Sequence, residues 1–396
     1  MKKINSFCFK GKRVLIRVDF NVPLNSSLEV SDASRIIAAL PTIKKVVNDG
    51  GKAIVMSHLG RPENKYEECF SMKHVLSDLK GLVKVPVFFS NDCVGEKPKS
   101  LISKMPNSSI LLLENLRFYP EEKKADYDFA KKLSELGDFF INDAFGVAHR
   151  NHASNAILPK FFNNRSCFGF LLSSEINQLN KVLQSQKRPV TAIIGGAKIS
   201  GKIEVIQNLI QHVDNLIIGG GMAYTFIKAL GGDVGSSILE KDKVLLATKI
   251  LSDAKLNGVN LLLPVDSVNA KAAKNNATIK ISKINKINAE YMGLDVGPES
   301  VLRFTNVISS SKTIVWNGPM GVFEIDAFSK GTVGVAKAVA SATTNGAFSI
   351  VGGGDSISAI KRFNFESNIS YISTGGGAML KYLEGSVLPA ISAIQD

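Results

Sequence analysis

A repeating unit, a short apolar run followed by an amphipathic segment, constrains the fold of this 396-residue chain more than any other feature. Each run is rich in Val, Ile and Leu and ends abruptly in polar residues or glycines, and a helical pattern follows most of the runs. This pattern is typical of βα units whose strands are buried in a parallel sheet. The runs cover 14–18, 53–56, 110–113, 139–141, 190–194, 215–218, 260–264, 313–316, 348–351 and 369–373. Helices are predicted over 34–47, 126–136, 202–213 and 329–342.

The length and the spacing of these units predict two domains, since a domain usually takes roughly 100–200 residues. Between the two series of runs lies a segment with helical spacing, for which Ser174 is the expected N-cap and Arg188-Pro189 the end. We predict an α/β fold of two doubly wound parallel-sheet (Rossmann-like) domains, joined by a helix and separated by a cleft. The predicted bounds are 1–172, 173–188 for the joining helix, and 189–385.

Composition narrows the class of partner and the compartment. The net charge of +13 is compatible with nucleic-acid binding, but the lysines from Asn269 to Lys286 have no aromatic residues among them, which favours a solvated surface. No secretory signal and no apolar run near the roughly 18 residues of a membrane span is present. The scattered cysteines favour reduced thiols in a cytoplasm. We expect no nucleic-acid or membrane partner.

Charged side chains follow the strands predicted in the first half, where ligands of open α/β sheets bind. They are Arg17, Asp19, Asn21, His58, Arg61, Glu114, Asn115, Arg117, Asn142, Asp143, His149 and Arg150, and Arg35 opens the first predicted helix. Arginines placed close together repel one another unless an anion binds between them. The planar guanidinium group can form two parallel hydrogen bonds to a phosphate or a carboxylate. A small substrate with more than one negative charge is therefore predicted.

Glycines follow the strands predicted in the second half. They form the clusters Gly195–Gly196, Gly219–Gly221, Gly352–Gly354 and Gly375–Gly377. Glycine permits close approach of backbone N–H groups to a phosphate, and a following helix N-terminus favours the negative charge. Four such clusters in register with strand ends predict a nucleotide.

The segment Gly196 to Lys202 fits the P-loop pattern except at its metal ligand, because Ile203 stands where Ser or Thr is needed. Lys198 and Lys202 can still neutralise phosphates. Asp355, after a glycine triplet, is the carboxylate expected to hold the metal, although its position also suits an N-cap. The fingerprint of a dinucleotide-dependent dehydrogenase is missing. A basic protein that binds nucleic acid without catalysis is a competing hypothesis, as is a catalytically inactive relative that serves only as a binding partner.

The motifs of the chain resemble those of the phosphoglycerate kinase family from end to end. They read RVDFNVP, RIIAALPTI, SHLGRP, ENLRF, NDAFGVAHR, GGAKISGKIEVI, DNLIIGGGMAYTF, WNGPMGVFE, GGGDSISAI and STGGGAMLKYLEG. The resemblance implies reversible transfer of the acyl phosphate of 1,3-bisphosphoglycerate to ADP, giving 3-phosphoglycerate and ATP. It also implies Mg²⁺ bound with the nucleotide, a monomeric chain, domain closure, and a C-terminal segment 386–396 that returns to the first domain.

The resemblance assigns roles residue by residue. Arg35 and Lys202 are the expected catalytic residues. The substrate would be bound by Asp19, Phe20, Asn21, Arg35, His58, Leu59, Gly60, Arg61, Arg117 and Arg150. The nucleotide would be bound by Lys198, Lys202, Gly219, Gly220, Glu324, Gly353, Gly354, Asp355 and Ser356, with Asp355 holding the metal. Three departures from the family pattern occur. Tyr224 stands where a small polar residue is expected beside the adenine pocket, and Ser356 replaces the usual Thr. The segment SDASRI is a loose version of the usual lead into the helix that bears Arg35.

Overall fold

The structure is a computed structural model and describes residues 3–63 and 65–395. The chain divides into two compact units, the first formed by Met1–Ile176 with Val387–Asp396 and the second by Asn177–Ser386. Each unit is built on its own parallel sheet. The predicted α/β class with two parallel-sheet domains is therefore confirmed.

The first unit contains a six-stranded parallel sheet in the order β3-β4-β2-β1-β5-β6. Its strands are β1 (Arg13–Arg17), β2 (Lys52–Met56), β3 (Val87–Ser90), β4 (Ser109–Leu113), β5 (Phe139–Asn142) and β6 (Ser166–Phe168). The helices are α1 (Ser34–Asn48), α2 (Lys73–Leu82), α3 (Glu96–Lys104), α4 (Pro120–Lys123) and α5 (Tyr127–Ser134), and α6 (Phe170–Leu183) begins in this unit and ends in the second. Alternate residues of β1 enter two different cores, with Val14 and Ile16 on one face and Leu15 on the other. Burial on both faces explains why the strands are continuously apolar.

The second unit contains another six-stranded parallel sheet, in the order β10-β8-β7-β15-β16-β17. Its strands are β7 (Val190–Ile194), β8 (Asn215–Ile218), β9 (Asp233–Val234), β10 (Asn260–Leu262), β11 (Asp266–Ala270), β12 (Lys280–Lys283), β13 (Lys286–Ile287), β14 (Met292–Val296), β15 (Thr313–Asn317), β16 (Phe348–Gly352) and β17 (Tyr371–Ile372). Its helices are α7 (Ile203–Leu209), α8 (Ala223–Ala229), α9 (Val244–Leu256), α10 (Pro298–Ser310), α11 (Lys330–Thr344), α12 (Gly354–Arg362) and α13 (Gly377–Leu383). Strands β12-β11-β14 form a separate antiparallel sheet, and β13 pairs with β9.

Each six-stranded sheet has one topological switch point, where successive connections leave in opposite directions. In the first sheet the neighbours at this point are β1 and β5, and in the second they are β7 and β15. Loops at the carboxyl ends of such neighbours part from each other and leave a crevice that favours ligands. The two switch points therefore mark where each unit is expected to bind its ligand.

Helix α6 begins at Phe170 and not at the predicted N-cap Ser174. The backbone N–H of Phe170 donates to the Thr42 hydroxyl at 2.9 Å, and that of Leu172 donates to the Asp143 carboxylate at 3.0 Å. Both acceptors are distant in sequence, so the local pattern misplaced the start of the helix. The domain bounds themselves stay a prediction.

The C-terminal helix α14 (Pro389–Gln395) contacts the segment Ala153–Ile157, which forms a π-helix. The backbone N–H of Ala390 donates to the carbonyl of Ala148 at 3.1 Å. These contacts tie the last described turn of the chain to residues of the first unit.

Other differences from the predicted elements are local. The runs at β3 and β6 were not predicted as strands, nor were the strands of the small antiparallel sheet. The lysine-rich stretch from Asn269 to Lys286 contains the end of β11 and all of β12, which pair as antiparallel strands. The ammonium groups of Lys271 and Lys280 lie 5.6 and 4.8 Å from the ring centre of Tyr291. Within residues 3–63 and 65–395, no helix is both long enough and apolar enough to span a membrane.

Candidate functional site

Basic side chains meet beyond the carboxyl ends of β1 and β2 in the first unit. The Arg35 guanidinium, in the first turn of α1, donates to the Asp19 carboxylate at 2.8 Å. His58 is 2% exposed, and its Nδ1 lies 3.9 Å from the same carboxylate. The strand ends therefore bring together Asp19, Arg35 and His58, as the sequence predicted.

His58 is held in the neutral form. Burial, followed by the positive charges of Arg17, Arg117, Arg150 and Arg35, depresses the pKa of His58 well below its ordinary value. The Arg17 guanidinium lies 3.4 Å from Nδ1 of His58, and because arginine can only donate, this nitrogen is the acceptor. The proton of His58 is thus placed on Nε2, from which it can donate to an anion.

Arg117 is a buried cation with incomplete hydrogen bonding. Burial, with the nearby charges of Arg150 and Arg17, lowers its pKa to about 10. One terminal nitrogen donates to the carbonyl of Gly60 at 2.6 Å, whereas its buried Nε has no hydrogen-bond partner among the described residues. An unsatisfied buried donor costs about 1–3 kcal/mol, so this geometry is unfavourable without an anion nearby.

Gly60 joins two of the predicted substrate residues through its backbone. Its N–H donates to the Asn21 side chain at 2.8 Å, and its carbonyl accepts from Arg117. Its φ is +62°, and a Cβ would lie 2.2 Å from the Phe70 ring, so only glycine fits here.

The side chains of three predicted substrate residues, Phe20, Leu59 and Arg61, do not join the basic group. The side chains of Phe20 and Leu59 are 0% and 2% exposed and belong to the hydrophobic core, so only their backbones are available to a ligand. The side chain of Arg61 is exposed. Among the hydrogen bonds and ion pairs of the described residues, none joins Arg61 to this basic group.

A buried polar network lies behind the basic group, and sequence reasoning missed most of it. Arg17 Nε donates to the Ser154 hydroxyl at 2.8 Å, and that hydroxyl donates to Glu122 at 2.6 Å. Glu122 is fully buried and also accepts from the backbone of Ser154 at 2.9 Å. His152 lies 3.7 Å from Glu122, and burial together with nearby arginines lowers its pKa to about 3. Glu122 thus places a negative charge near the buried guanidinium of Arg17.

A cavity of about 500 Å³ lies at the glycine-rich strand ends of the second unit. Its wall includes Gly196, Gly220, Gly221, Tyr224, Glu324 and Asp355. This volume is within the range of small-molecule sites. Of the predicted nucleotide residues, Gly220, Glu324 and Asp355 line the cavity.

The glycines of this region have a structural role that the sequence did not reveal. A Cβ on Gly195 would lie 2.1 Å from the carbonyl oxygen of Pro319, and one on Gly220 would lie 2.6 Å from backbone atoms of Gly196. A Cβ on Gly219 would lie 2.4 Å from Met320 Sδ. These loops therefore pack backbone against backbone, which places them close to any ligand in the cavity.

Lys202 lies at the switch point of the second sheet. Its ammonium donates to the carbonyl of Gly195 at 2.7 Å, and to the backbone and side-chain oxygens of Asn317 at 3.1 and 2.6 Å. Burial lowers the pKa of Lys202 to about 8, against the opposing charge of Asp355. Asn317 was missed as a site residue, although its place at the end of a buried strand, in WNGPMG, was a usable signal.

The start of α12 combines a glycine with a left-handed backbone conformation and a carboxylate side chain. Gly353 has a φ of +93°, and a Cβ there would lie 2.6 Å from the Asn317 amide nitrogen. Asp355 is exposed in the first turn of the helix, and Lys198 is exposed on the neighbouring loop. Ser356 is fully buried, and its hydroxyl accepts from the backbone of Gly318 at 2.6 Å, which fixes the loop beside Lys202.

The residues present fit a magnesium ion that comes with a nucleotide. No group of three or more His, Cys, Asp or Glu residues suited to a metal occurs in the described part of the chain. Mg²⁺ often binds through one or two carboxylates plus substrate phosphates and retains several waters. Asp355, exposed on the cavity wall beside a helix N-terminus, provides such a carboxylate.

Comparisons with known proteins show the family of the chain. The family model described as phosphoglycerate kinase matches residues 4–386. Curated proteins named phosphoglycerate kinase include one from Porphyromonas gingivalis, 46% identical over 416 residues, which covers 99% of each chain. Another, from Chlorobaculum tepidum, is 45% identical over 395 residues and covers 100% of this chain and 99% of that one.

Solved structures give the same answer. The phosphoglycerate kinase of Coxiella burnetii is 39% identical and superimposes with a TM-score of 0.89, covering 99% of this chain and 98% of that chain. That of Pyrococcus horikoshii is 30% identical with a TM-score of 0.83, covering 100% and 98% respectively. Since the family model and the relatives match the chain across both units, the chain belongs to the phosphoglycerate kinase family of phosphotransferases.

Proposed function

We propose that the basic group of the first unit binds the 3-phosphoglycerate part of the substrate and that the cavity of the second unit binds ADP or ATP. The observation that carries the first assignment is the cluster of guanidinium groups at the strand ends. Arg35 pairs with Asp19 at 2.8 Å, Arg17 lies 3.4 Å from His58, and the buried Nε of Arg117 has no hydrogen-bond partner among the described residues. Such a group is stabilised by a small ligand with several negative charges. The hydrogen bonds that hold Asn21 and Arg117 on Gly60 support the same assignment.

The second assignment rests on the glycine loops around the cavity. Gly196 and Gly220 line one wall, where the N–H groups of both donate to the carbonyls of Pro319 and Met320 and hold the loops close to the cavity. Phosphates are proposed to bind at the N-terminus of α12, which begins beside this wall. Glu324 lines the same cavity and is proposed to bind the ribose hydroxyls. Lys198 is exposed nearby and is proposed to contact the phosphates.

The reaction needs no general base in this proposal. The attacking oxygen belongs either to the carboxylate of 3-phosphoglycerate or to a nucleotide phosphate, and both are already ionised at neutral pH. The protein must instead align the reacting groups and balance the negative charge of the transferring phosphoryl group. We assign that charge balance to Arg35 and Lys202, and we assign Asp19 and His58 to hydrogen bonding and positioning of the substrate.

Asp355 is proposed to hold Mg²⁺ together with the nucleotide phosphates. The ion, when bound, would neutralise phosphate charge. The residues of the chain then have separate tasks, with Asp355 orienting the nucleotide and Lys202 approaching the transferring group. The coulombic influence of Asp355 on Lys202 supports their proximity.

We further propose that the chain works as a cytoplasmic monomer whose domains close on the two substrates. Each proposed ligand set is complete within one chain, so no second copy is required. Closure would exclude water, which otherwise hydrolyses the acyl phosphate. Solution scattering with and without both substrates tests closure, because an unchanged radius of gyration would count against it. Sedimentation velocity tests the monomeric state.

The assay for the assigned sites is ATP-dependent phosphorylation of 3-phosphoglycerate, followed by NADH oxidation through a coupling dehydrogenase. Replacing ATP by NAD, or 3-phosphoglycerate by lactate, should give no turnover. Saturation with 3-phosphoglycerate should be impaired by Arg117→Ala, whereas ATP affinity should be retained. A variant with weakened ATP affinity and intact 3-phosphoglycerate affinity would contradict the assignment of the basic group.

A further inference from the structure

Tyr224 forms part of the wall of the second-unit cavity, on the first turn of α8. It is 4% exposed, and its hydroxyl pairs with the Ser267 hydroxyl on β11 at 2.9 Å. The ring belongs to a small hydrophobic cluster that includes Ile227, Val234 and Ile284. Tyr224 is therefore fixed at its hydroxyl end and packed on its far side.

The backbone of Gly293 lies against the hydroxyl end of Tyr224. A Cβ on Gly293 would lie 1.9 Å from the Tyr224 hydroxyl oxygen and 2.7 Å from Ser267 Oγ. The N–H of Gly293 donates to Ser237 at 2.8 Å, which fixes this part of β14. Since β14 lies against the hydroxyl, the ring has little room to move toward that strand, and its position limits the space on the cavity side.

The cavity has chemically different parts. Asp355 supplies a carboxylate in the first turn of α12, which suits phosphates and their metal. Met292 and Leu294 contribute apolar surface beside Tyr224, which suits the flat face of a base. Tyr224 therefore lies on the apolar part of the cavity wall, where we expect the purine base, and not at the proposed phosphate-binding loops.

We propose that Tyr224 is a specificity-determining residue that limits the size of the nucleotide base which this cavity accepts. The proposal rests on the function proposed above, in which the cavity binds ADP or ATP. Its ring, held between Ser267 and Gly293, blocks the space that a substituent on the purine would need. Replacing the ring by a small side chain opens that space without touching the groups that bind phosphate.

The test compares ATP with two enlarged analogues, N6-benzyl-ATP and 2-methylthio-ATP, as donors to 3-phosphoglycerate. The two analogues carry their substituents on different edges of the purine, so together they sample the orientation of the base. In Tyr224→Ala, the ratio of kcat/KM for at least one analogue to that for ATP should rise at least about 10-fold, a typical discrimination by a hydrophobic pocket. Tyr224→Leu, which keeps an apolar side chain in the cluster, should show a smaller rise and answers the question if the alanine variant does not fold.

Two matched variants separate size from hydrogen bonding. Tyr224→Phe and Ser267→Ala remove the hydroxyl pair but keep the aromatic ring, so both should retain the wild-type preference for ATP over the analogues.

Gly293→Ala tests the contact between Gly293 and the tyrosine. This substitution should lower the melting temperature of the wild type, and it should lower that of Tyr224→Ala by less, because the methyl group then occupies the space that the ring has left.

The outcomes are distinguishable. An unchanged analogue ratio in both Tyr224→Ala and Tyr224→Leu would overturn the inference, as would a rise in Tyr224→Phe equal to that in Tyr224→Ala. A wild-type chain with no turnover of ATP and 3-phosphoglycerate would overturn the proposed function instead, and the inference with it.

Discussion

Asn317 accepts two hydrogen bonds from the ammonium of Lys202, one on its backbone oxygen at 3.1 Å and one on its side-chain oxygen at 2.6 Å. The Gly195 carbonyl accepts a third at 2.7 Å, so all three donors of the lysine are used within the protein. The Asn317 amide also donates to the Gly352 carbonyl at 2.8 Å. One side chain therefore links the lysine to the loop that precedes Asp355, and Lys202 must exchange at least one of these bonds to contact a phosphoryl group.

The pKa of Lys202 predicts an alkaline limit on activity. Burial lowers this pKa to about 8, so the ammonium is present below that pH and is lost as the pH rises through it. The kcat/KM for ATP, which reports on the free enzyme, should therefore fall above about pH 8. In Asn317→Asp a carboxylate replaces the amide beside the ammonium, which raises the pKa of Lys202 and should move the fall to higher pH. Initial rates between pH 6 and pH 10 measure the pH dependence of kcat/KM in the wild type and in Asn317→Asp. If kcat/KM falls at the same pH in both proteins, Lys202 is not the group whose titration causes the fall.

Arg35→Ala should lower kcat by about 10²–10³, the usual cost of losing one preorganised contact to a developing charge. The dissociation constant of ATP should stay near the wild-type value, because Arg35 lies in the first unit on Asp19. Steady-state rates and calorimetric titration with ATP measure the two effects. Arg13→Ala is the matched control, since Arg13 also pairs with an aspartate, Asp138 at 2.6 Å, but on a half-exposed surface. A wild-type kcat in Arg35→Ala would remove this residue from the catalytic set.

Asp355→Asn should raise the Mg²⁺ concentration needed for half-maximal activity by about 10-fold or more, the order of loss expected for a residue that supports a metal. The substitution keeps the size and hydrogen-bonding oxygen of the side chain at an exposed position, so folding should be unaffected. Rates measured across a Mg²⁺ titration at fixed ATP give the result. Asp242→Asn, at another exposed aspartate of the second unit, serves as the control. An unchanged magnesium requirement would place the metal elsewhere.

The sequence predicted those parts of the fold that local patterns determine. The strands Val190–Ile194 and Asn215–Ile218 have the predicted bounds because their apolar runs end in abrupt polar or glycine signals. The antiparallel strand β11 was missed because its residues Asp266, Ser267 and Asn269 are polar although they are buried. Asp266 is satisfied by the backbone and side chain of Ser300, a partner that no local window contains.

In the candidate site too, the sequence predicted what local patterns determine and missed what depends on residues distant in the chain. Residues at strand ends, such as Asp19 and Arg117, were predictable because parallel strands place their carboxyl ends together. The positions of Glu122 and Ser154 depend on the buried network around Arg17, whose members are far apart in sequence. The core positions of Phe20 and Leu59 could not be separated from ligand contacts by motif alone, because a motif records that a residue is required but not which way it points.

Asp143 should make the stability of the chain fall as the pH rises toward neutrality. Burial raises its pKa from 3.8 to about 7, so the native state holds the proton more tightly than the unfolded chain. The stabilisation is fully present below about pH 4 and is lost as the pH rises through about 7. Asp143→Asn removes this dependence while keeping an acceptor for the N–H of Leu172.

Denaturant unfolding of wild type and Asp143→Asn at a series of pH values measures this effect, and the proton uptake linked to folding between pH 4 and pH 7 should fall by about one in the variant. Asp295, whose pKa burial also raises to about 7, remains in the variant and should leave a residual slope from the second unit. Parallel pH profiles for the two proteins would show that Asp143 is ionised in the folded chain.

Gly354→Ala should separate the nucleotide-binding role of a glycine from its packing role. A Cβ on Gly354 has no atom within 4 Å, and the residue begins α12 without a left-handed φ, so thermal stability should be unchanged or slightly raised. The methyl group would nevertheless occupy the space proposed for the phosphates, and the dissociation constant of ATP should rise about 10-fold, equivalent to about 1.4 kcal/mol. Gly195→Ala is the opposite case, because its Cβ would lie 2.1 Å from the Pro319 carbonyl and should lower the melting temperature. Calorimetry and thermal unfolding of both variants provide the comparison. If Gly354→Ala binds ATP as tightly as wild type, the phosphates do not lie at the start of α12.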